Sequence, residues 1–290
     1  YLSFTSSAVK CRQIFRGNPI ITMHSFSRTT GISVVVANMV GTGVFTSLGF
    51  QLLGIQSPFV LMMLWLVGGL TALCGALTYA ELGANLPRSG GEYNFLSRLY
   101  HPCAGFISGW VSATVGFAAP VALAAMTFAA YLSAVFPELN RTWAAVSLVL
   151  ILTLAHCLSR RASSSVQQIF TALKLLLILL FCAVILIWGN SPQSLNFAPQ
   201  AGDGQLLFSG AFAVALIYVN YAYTGWNAAT YVTGELENPQ RNLPVVLAVG
   251  TALVLLLYLL LNYSFLSAAP ISSMEGKLEI GVVVAEAALG

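Results

Sequence analysis

The sequence contains very little charge. Only 7% of its 290 residues are charged and 58% are hydrophobic, whereas soluble domains carry about 25% charged residues. A soluble monomer cannot bury so much apolar surface, so a lipid bilayer must cover it, which removes cytosolic enzymes, nucleic-acid-binding proteins and secreted disulfide scaffolds from the leading interpretations. The net charge of +3 is too small to indicate a polyanionic partner. We therefore expect contact with membrane lipids and no nucleic-acid partner.

Cysteine and histidine are scarce as well, and neither forms a metal-binding pattern. The five cysteines are far apart and lack any Cys-x-x-Cys spacing, which is typical of small buried hydrophobic residues. The three histidines are isolated, and the sequence contains no HExxH or GxSxG motif. We therefore expect no metal, no cofactor and no enzymatic activity.

Long apolar runs fill the chain between its few charges. Residues 29–80 contain no Asp, Glu, Lys or Arg, and this stretch is long enough for two transmembrane helices of about 20 residues each. The runs are continuously apolar, whereas barrel strands would alternate over about 10 residues, so helices are favoured. The predicted spans are residues 29–50, 58–80, 102–135, 142–159, 166–189, 206–233 and 243–267, and an eighth begins near residue 281.

Lysine and arginine lie mostly on one side of these spans. With the N-terminus in the cytoplasm, nine of them fall in cytoplasmic segments and two, Arg141 and Lys277, in external ones, as the positive-inside rule requires. Residues 1–28 then form an N-terminal tail, in which Met23 is a candidate for the true start. We expect a multi-pass protein of the cell membrane with a cytoplasmic N-terminus.

Two of the predicted spans contain residues that interrupt a helix. The first holds Gly41-Thr42-Gly43 near its middle, and glycine costs about 1 kcal/mol inside a helix. The sixth holds YAYTGWN at residues 221–227, which is aromatic and polar around Gly225. Either motif alone fits close packing through small residues or an aromatic core. Because the two spans are five apart and run in opposite directions, the pair indicates the site of a transporter with inverted repeats.

A helix break in the membrane exposes backbone groups that lipid cannot satisfy but a polar solute can. The N–H groups that open one half-helix suit a carboxylate, and the carbonyl groups that end another suit an ammonium. Glycine lets the backbone approach a ligand without an intervening Cβ. The predicted helix breaks at Gly41, Gly43 and Gly225 therefore suit a zwitterionic amino acid.

Ordered motifs run through most of the chain: GTGVF at 41–45, YAEL at 79–82 with PRSGGEY at 87–93, QIFTALKL at 168–175, AYTGWN at 222–227 and ELENPQRNLP at 235–244. In this order they resemble the amino acid–polyamine–organocation transporter superfamily, closest to the branch of L-type amino acid transporters and their bacterial relatives. The resemblance implies an all-α polytopic membrane protein with the inverted five-helix repeat of the leucine-transporter type. Residues 29–189 would form the first repeat and residues 205–290 part of the second, so we expect an N-terminal fragment truncated after about seven transmembrane helices.

The resemblance also implies which residues bind the substrate. The N–H groups of Thr42 and Gly43 would bind the substrate carboxylate. The amino group would be received by four backbone carbonyls, those of Met39, Tyr221, Ala222 and Thr224. The ring of Tyr221 would form an aromatic gate, and the side chains of Trp226 and Asn227 would shape the pocket. Thr224 departs from the glycine common at this position, and its bulk or its hydroxyl would alter the pocket.

Lys174 is the one charged residue inside the seven complete predicted spans. A long lysine can reach the membrane interface, but charges within the membrane usually mark ion or proton paths. In the resembled family a lysine at this place stands beside the break of the first span, where sodium-coupled relatives hold a cation. The resemblance therefore implies sodium-independent transport, with Lys174 replacing the cation or carrying a proton.

These features predict a secondary active transporter that moves neutral L-amino acids by alternating access, through exchange or proton coupling. No carboxylate lies in the middle of a predicted span to pair a second ammonium group, which favours neutral substrates over the alternative, a cationic amino acid or polyamine exchanger. A seven-helix photoreceptor with Lys174 as its retinal lysine and a membrane enzyme are remote alternatives. Animal members of the resembled branch join a single-pass glycoprotein through a cysteine between spans 3 and 4, and residues 136–141 contain none, so we expect no disulfide-linked heavy chain.

Overall fold

The computed structural model describes residues 27–158, 160–189, 193 and 195–290, and this part of the chain is helical without any strand. Its α-helices are α1 (Arg28–Met39), α2 (Gly43–Leu52), α3 (Pro58–Asn85), α4 (Gly91–Leu99), α5 (Pro102–Val111), α6 (Ala118–Val135), α7 (Arg141–Leu158), α8 (Arg160–Trp188), α9 (Asp203–Leu207), α10 (Gly210–Ala222), α11 (Pro239–Ala268), α12 (Ile271–Met274) and α13 (Ile280–Leu289). A π-helical segment (Ser112–Phe117) joins α5 to α6, and a 3-10 helix (Ala228–Glu235) follows α10. The predicted all-α class is confirmed.

Within the described residues, five helical stretches are long and apolar enough to cross a membrane. They are Arg28–Leu52, Pro58–Asn85, Pro102–Val135, Ile169–Trp188 and Pro239–Ala268. Shorter apolar helices cover Arg141–Ala155, Gly210–Ala222 and Ile280–Leu289. The chain is therefore a multi-pass membrane protein.

Serine residues mark the beginnings of three of these helices. Ser27, Ser57 and Ser209 precede α1, α3 and α10, and each hydroxyl accepts a hydrogen bond from a backbone N–H of the first helical turn. Such caps satisfy N–H groups that have no partner within the helix. Pro58 follows Ser57 at the first position of α3, where its missing N–H costs nothing. Local sequence thus sets where these helices enter the bundle.

Two helices differ from the spans predicted by apolarity. Residues 206–233 were expected to form one span, whereas α10 ends at Ala222 and the chain continues through a turn into a 3-10 helix. The helix expected over 166–189 begins earlier, at Arg160. Apolarity marks the part of a helix that lipid can cover, so it detects neither a polar first turn nor a change in helix type.

The core surrounds α11, which packs along α3 and against α1. Trp65, Tyr223 and Tyr258 are fully buried there, and their rings contact one another with centroids 4.9–5.9 Å apart. Gly69 of α3 permits this approach, because a Cβ at that position would lie 2.8 Å from the Tyr223 hydroxyl oxygen. This buried aromatic cluster adjoins the interrupted parts of the first and sixth spans, since the Tyr258 hydroxyl contacts Met39 and Ala222.

Candidate functional site

The first span is interrupted at residues 40–42, between α1 and α2. Val40 is extended, with ψ at 91°, and Gly43 begins α2. The Thr42 side chain does not cap α2, so the opening N–H groups of this helix receive no bond from that hydroxyl. A Cβ on the exposed Gly41 would meet nothing nearer than the Met39 carbonyl oxygen, 4.0 Å away. The break thus presents backbone beside open space.

The second interruption covers residues 223–227, between α10 and the 3-10 helix. Gly225 adopts a left-handed conformation with φ of +105°, which side chains other than glycine rarely tolerate. A Cβ there would also lie 2.8 Å from the carbonyl carbon of Asn38. Gly225 therefore meets two requirements at once, a turn of the chain and close packing on the end of α1.

The two interruptions contact each other at a second point. A Cβ on Gly43 would lie 2.9 Å from the Cα of Ala222, and both residues are buried. The absent side chain of Gly43 thus makes room for the neighbouring helix, whereas the sequence suggested that it makes room for a ligand. The open space lies instead at Gly41.

Tyr258, which the sequence analysis did not select, holds both interruptions together. Its hydroxyl lies 2.7 Å from the Met39 carbonyl oxygen and 3.0 Å from that of Ala222. A hydroxyl has a single proton, so the two carbonyls share one donor. Two of the four carbonyls expected to receive a substrate amino group therefore lie within reach of this one donor of α11, which bonds to one of them at a time. The available signal was a tyrosine within the aliphatic run LLLYLLL, since a buried tyrosine usually has a polar partner.

Thr224 donates hydrogen bonds to another of the four carbonyls that were predicted to receive the substrate amino group. Its backbone N–H and its hydroxyl lie 3.1 and 2.7 Å from the carbonyl oxygen of Tyr221. The hydroxyl that distinguishes Thr224 from glycine is thus used within the second interruption. Tyr221 is 40% exposed and lines a cavity, described below, that reaches the second interruption.

Lys174 of α8 supplies a cation at the end of α1. Its Nζ donates hydrogen bonds to the carbonyl oxygens of Ala37 and Val40, each at 2.6 Å. Ala37 lies in the last turn of α1 and Val40 is the residue that follows the helix, so both carbonyls are at the end where the helix dipole favours positive charge. The ammonium group therefore occupies a place where freed carbonyls converge, next to the first interruption.

A cavity of 1410 Å³ lies between α1, the π-helical segment, α8 and the second interruption. Of the predicted substrate-binding residues it is lined by Tyr221, Thr224, Trp226 and Asn227. Met39, Gly43 and Ala222 are buried and Thr42 is half-buried; none of these four lines the cavity. The structure thus gathers the predicted residues around the two interruptions, with the second contributing the side chains of the cavity wall.

Trp226 and Asn227 are held from behind by residues of α3 and α4. The Trp226 ring meets that of Tyr79 edge to face at 4.9 Å, and a Cβ on Gly75 would lie 2.8 Å from it. The Asn227 amide donates to the carboxylate of Glu92. Glu92 was part of a recognised motif, but nothing in the sequence indicated that it reaches the sixth span.

Membrane-length helices with two interrupted spans in contact with each other are typical of the class of transporters with broken helices. The model of the amino acid permease family matches residues 26–290. The chain is 34% identical to the b(0,+)-type amino acid transporter 1 of Homo sapiens over 81% of its length, and 33% identical to the large neutral amino acids transporter small subunit 2 of Oryctolagus cuniculus over 89%. It spans about half the length of these curated relatives, 50% of each. The chain belongs to the amino acid permease family, and the resemblance seen in its motifs is confirmed.

Proposed function

We propose that this chain forms part of a secondary active transporter that moves amino acids across the cell membrane by alternating access. The contact between the two helix interruptions supports this most directly. Gly225 packs on the backbone of Asn38, and Gly43 packs on Ala222. Helix ends with unpaired backbone groups are stable in a membrane only where they line a cavity or bind a polar partner.

In this proposal the substrate carboxylate binds at the N-terminus of α2, to the N–H groups of Thr42 and Gly43. The open space beside Gly41 admits it, and the helix dipole favours an anion there. The amino group is received by carbonyls of both interruptions, with the Tyr258 hydroxyl free to donate to either Met39 or Ala222 while the substrate donates to the other. Tyr221, at the cavity wall, closes over the bound substrate as a gate.

Neutral L-amino acids are the proposed substrates. One relative is named a transporter of large neutral amino acids. Glu235 supports the alternative of a cationic amino acid or polyamine substrate, because this acidic residue also lines the cavity. Glu235 is exposed and ends the 3-10 helix, ten residues beyond Gly225 in sequence. This position favours a role at the mouth of the cavity over direct contact with the substrate.

We propose that Lys174 replaces a coupling cation, so that transport requires no sodium and proceeds by exchange or proton coupling. Its two hydrogen bonds to α1 use the kind of carbonyl ligands that bind a metal cation in a broken helix. Because the described loop between α6 and α7 contains no cysteine, the proposal includes no disulfide-linked heavy chain.

Uptake by the full-length protein in proteoliposomes tests these proposals. Labelled leucine should enter without sodium and be displaced by neutral amino acids better than by lysine or putrescine. Amino alcohols, which lack the carboxylate, should compete about 10- to 150-fold less well, the effect of losing one charge-assisted hydrogen bond. Stimulation by internal amino acid would indicate exchange, and stimulation by a pH gradient would indicate proton coupling. Strict sodium dependence, or equal competition by amino alcohols, would contradict the proposed site.

A further inference from the structure

The carboxylate of Glu92 connects α4, which lies between the second and third spans, to the second interruption. Glu92 is in the first turn of α4. Its Oε1 accepts a hydrogen bond from the Asn227 amide, and its Oε2 accepts one from the Tyr231 hydroxyl. Asn227 and Tyr231 line the cavity, whereas Glu92 stands behind them. This carboxylate therefore acts on the cavity through two side chains of its wall.

The backbone next to this carboxylate is shaped for close contact. Gly90 and Gly91 both have positive φ, +117° and +50°, which turns the chain into α4. A Cβ on Gly91 would lie 2.8 Å from Cε1 of Tyr231. The Ser89 hydroxyl accepts a hydrogen bond from the Gly234 N–H at 3.0 Å. The start of α4 is thus docked on the 3-10 helix independently of the carboxylate.

The chemistry of the pair determines the orientation of the Asn227 amide. An ionised carboxylate is an acceptor only, so the amide must turn its nitrogen towards Glu92. Its oxygen, Oδ1, is then the acceptor that Asn227 has available for another partner. Tyr231 is fixed on its other side, where its ring meets that of Phe117 edge to face at 5.6 Å.

We propose that Glu92 is a positioning residue, which holds Asn227 so that Oδ1 offers a hydrogen-bond acceptor to an N–H or O–H group of the substrate. The inference rests on the proposed transport of amino acids and assigns a donor group of the substrate to the second interruption. Glu92 does not touch the substrate. Its effect on binding passes through the orientation of Asn227.

Exchanging the two functional groups tests this assignment. In Glu92→Gln the side chain has one acceptor oxygen for the donors of Asn227, Tyr231 and Tyr79, whose hydroxyl also interacts with Glu92. Asn227 therefore either loses its bond or flips and turns its nitrogen to the cavity. In Asn227→Asp two carboxylates face each other. In the double variant the glutamine nitrogen donates to the new aspartate, its oxygen accepts from Tyr231, and an acceptor oxygen again faces the cavity. The pair also keeps its net charge.

The KM for leucine uptake should rise about 10-fold in Glu92→Gln, the effect of one lost hydrogen bond to a charged group. It should also rise in Asn227→Asp, because repulsion between the two carboxylates displaces the side chain at position 227. It should return most of the way to the wild-type value in the double variant. Ser89→Ala, which weakens the docking of α4 without contacting Asn227, is the matched control and should keep the wild-type KM. Each variant is compared at equal amounts in the membrane.

A wild-type KM in Glu92→Gln, or a double variant no better than the single ones, would overturn the inference. An equal rise in Ser89→Ala would also overturn it, because docking alone would then explain the effect. If Glu92→Gln does not accumulate, Glu92→Asp is measured alone and with Asn227→Ala: a non-additive effect on KM supports positioning through Asn227, and an additive one contradicts it. Absence of uptake by the wild-type protein would instead refute the proposed function.

Discussion

At the scale of the residue, replacing Lys174 should impair transport. Lys174→Ala leaves the carbonyls of Ala37 and Val40 without the ammonium group that each now contacts at 2.6 Å. Because bonds to charged groups contribute about 1.5–3 kcal/mol, sodium-free uptake should fall at least about 10-fold while the protein still folds. Uptake in proteoliposomes measures this, with Lys277→Ala, which removes an exposed lysine, as control. A Lys174→Ala protein with normal kinetics would show that the lysine has no part in transport.

Tyr258→Phe tests a contact that becomes visible only in three dimensions. Removing the hydroxyl deprives the Met39 and Ala222 carbonyls of their shared donor, 2.7 and 3.0 Å away. The expected cost is about 1–3 kcal/mol, the penalty for an unsatisfied buried group, visible as a lower Tm in detergent and slower uptake. Tyr263→Phe is the control on the same helix, because that side chain is 42% exposed and keeps its ring contact with Phe197. Equal Tm values for the two variants would contradict the bridging role.

The two residues also show what the sequence reveals at this scale. Lys174 is recognisable because it is a single charge in an apolar span, and charges within the membrane usually mark ion or proton paths. Tyr258 and Tyr263 lie in one apolar run, and only packing determines which of them faces the core. Glu92 is harder still to predict, since it lies outside the spans and reaches residues 135 and 139 positions later in the chain.

At the scale of the element, the glycines of the interruptions should respond differently to a single methyl group. Gly225→Ala and Gly43→Ala place a Cβ within 2.8 and 2.9 Å of backbone atoms on the opposing helix, and Gly225 in addition has φ of +105°. Both variants should lower the Tm, by the equivalent of about 1–3 kcal/mol for such strain. Gly41→Ala should leave the Tm unchanged, because nothing lies nearer than 4.0 Å. A Gly225→Ala protein as stable as Gly41→Ala would refute the contact between the interruptions.

The same glycines show why the elements were only partly predictable. Glycine within an apolar run indicates either an interruption or close packing, and the pattern cannot separate the two. In the structure Gly43 begins a helix and also packs against one, while Gly41 lies in the break itself. The 3-10 helix after Gly225 was unpredictable for a different reason, since its composition also suits an α-helix and tertiary contacts decide its geometry.

At the scale of the whole molecule, the cavity and the proposed topology together determine which side of the membrane the site faces. The cavity is lined by α1 from Thr29 to Asn38, on the N-terminal side of the first interruption. If the N-terminus is cytoplasmic, as the distribution of lysine and arginine predicts, this conformation opens to the cytoplasm. Alternating access then requires a second conformation in which α1 and the second interruption close this path and open one beside α2.

Single cysteines in a cysteine-free variant test that orientation with a membrane-impermeant maleimide. The exposed positions Gln56 and Glu138 should be labelled in intact cells, whereas the exposed Arg88 should be labelled only after permeabilisation, because one span separates it from Gln56. Ser33→Cys, in the cavity wall, should react only from the cytoplasmic side, and saturating leucine should slow its labelling because closure of the cavity excludes the reagent. The reverse pattern would place the N-terminus outside. Labelling of Ser33→Cys from both sides, unaffected by leucine, would mean that the cavity is no part of an alternating-access path.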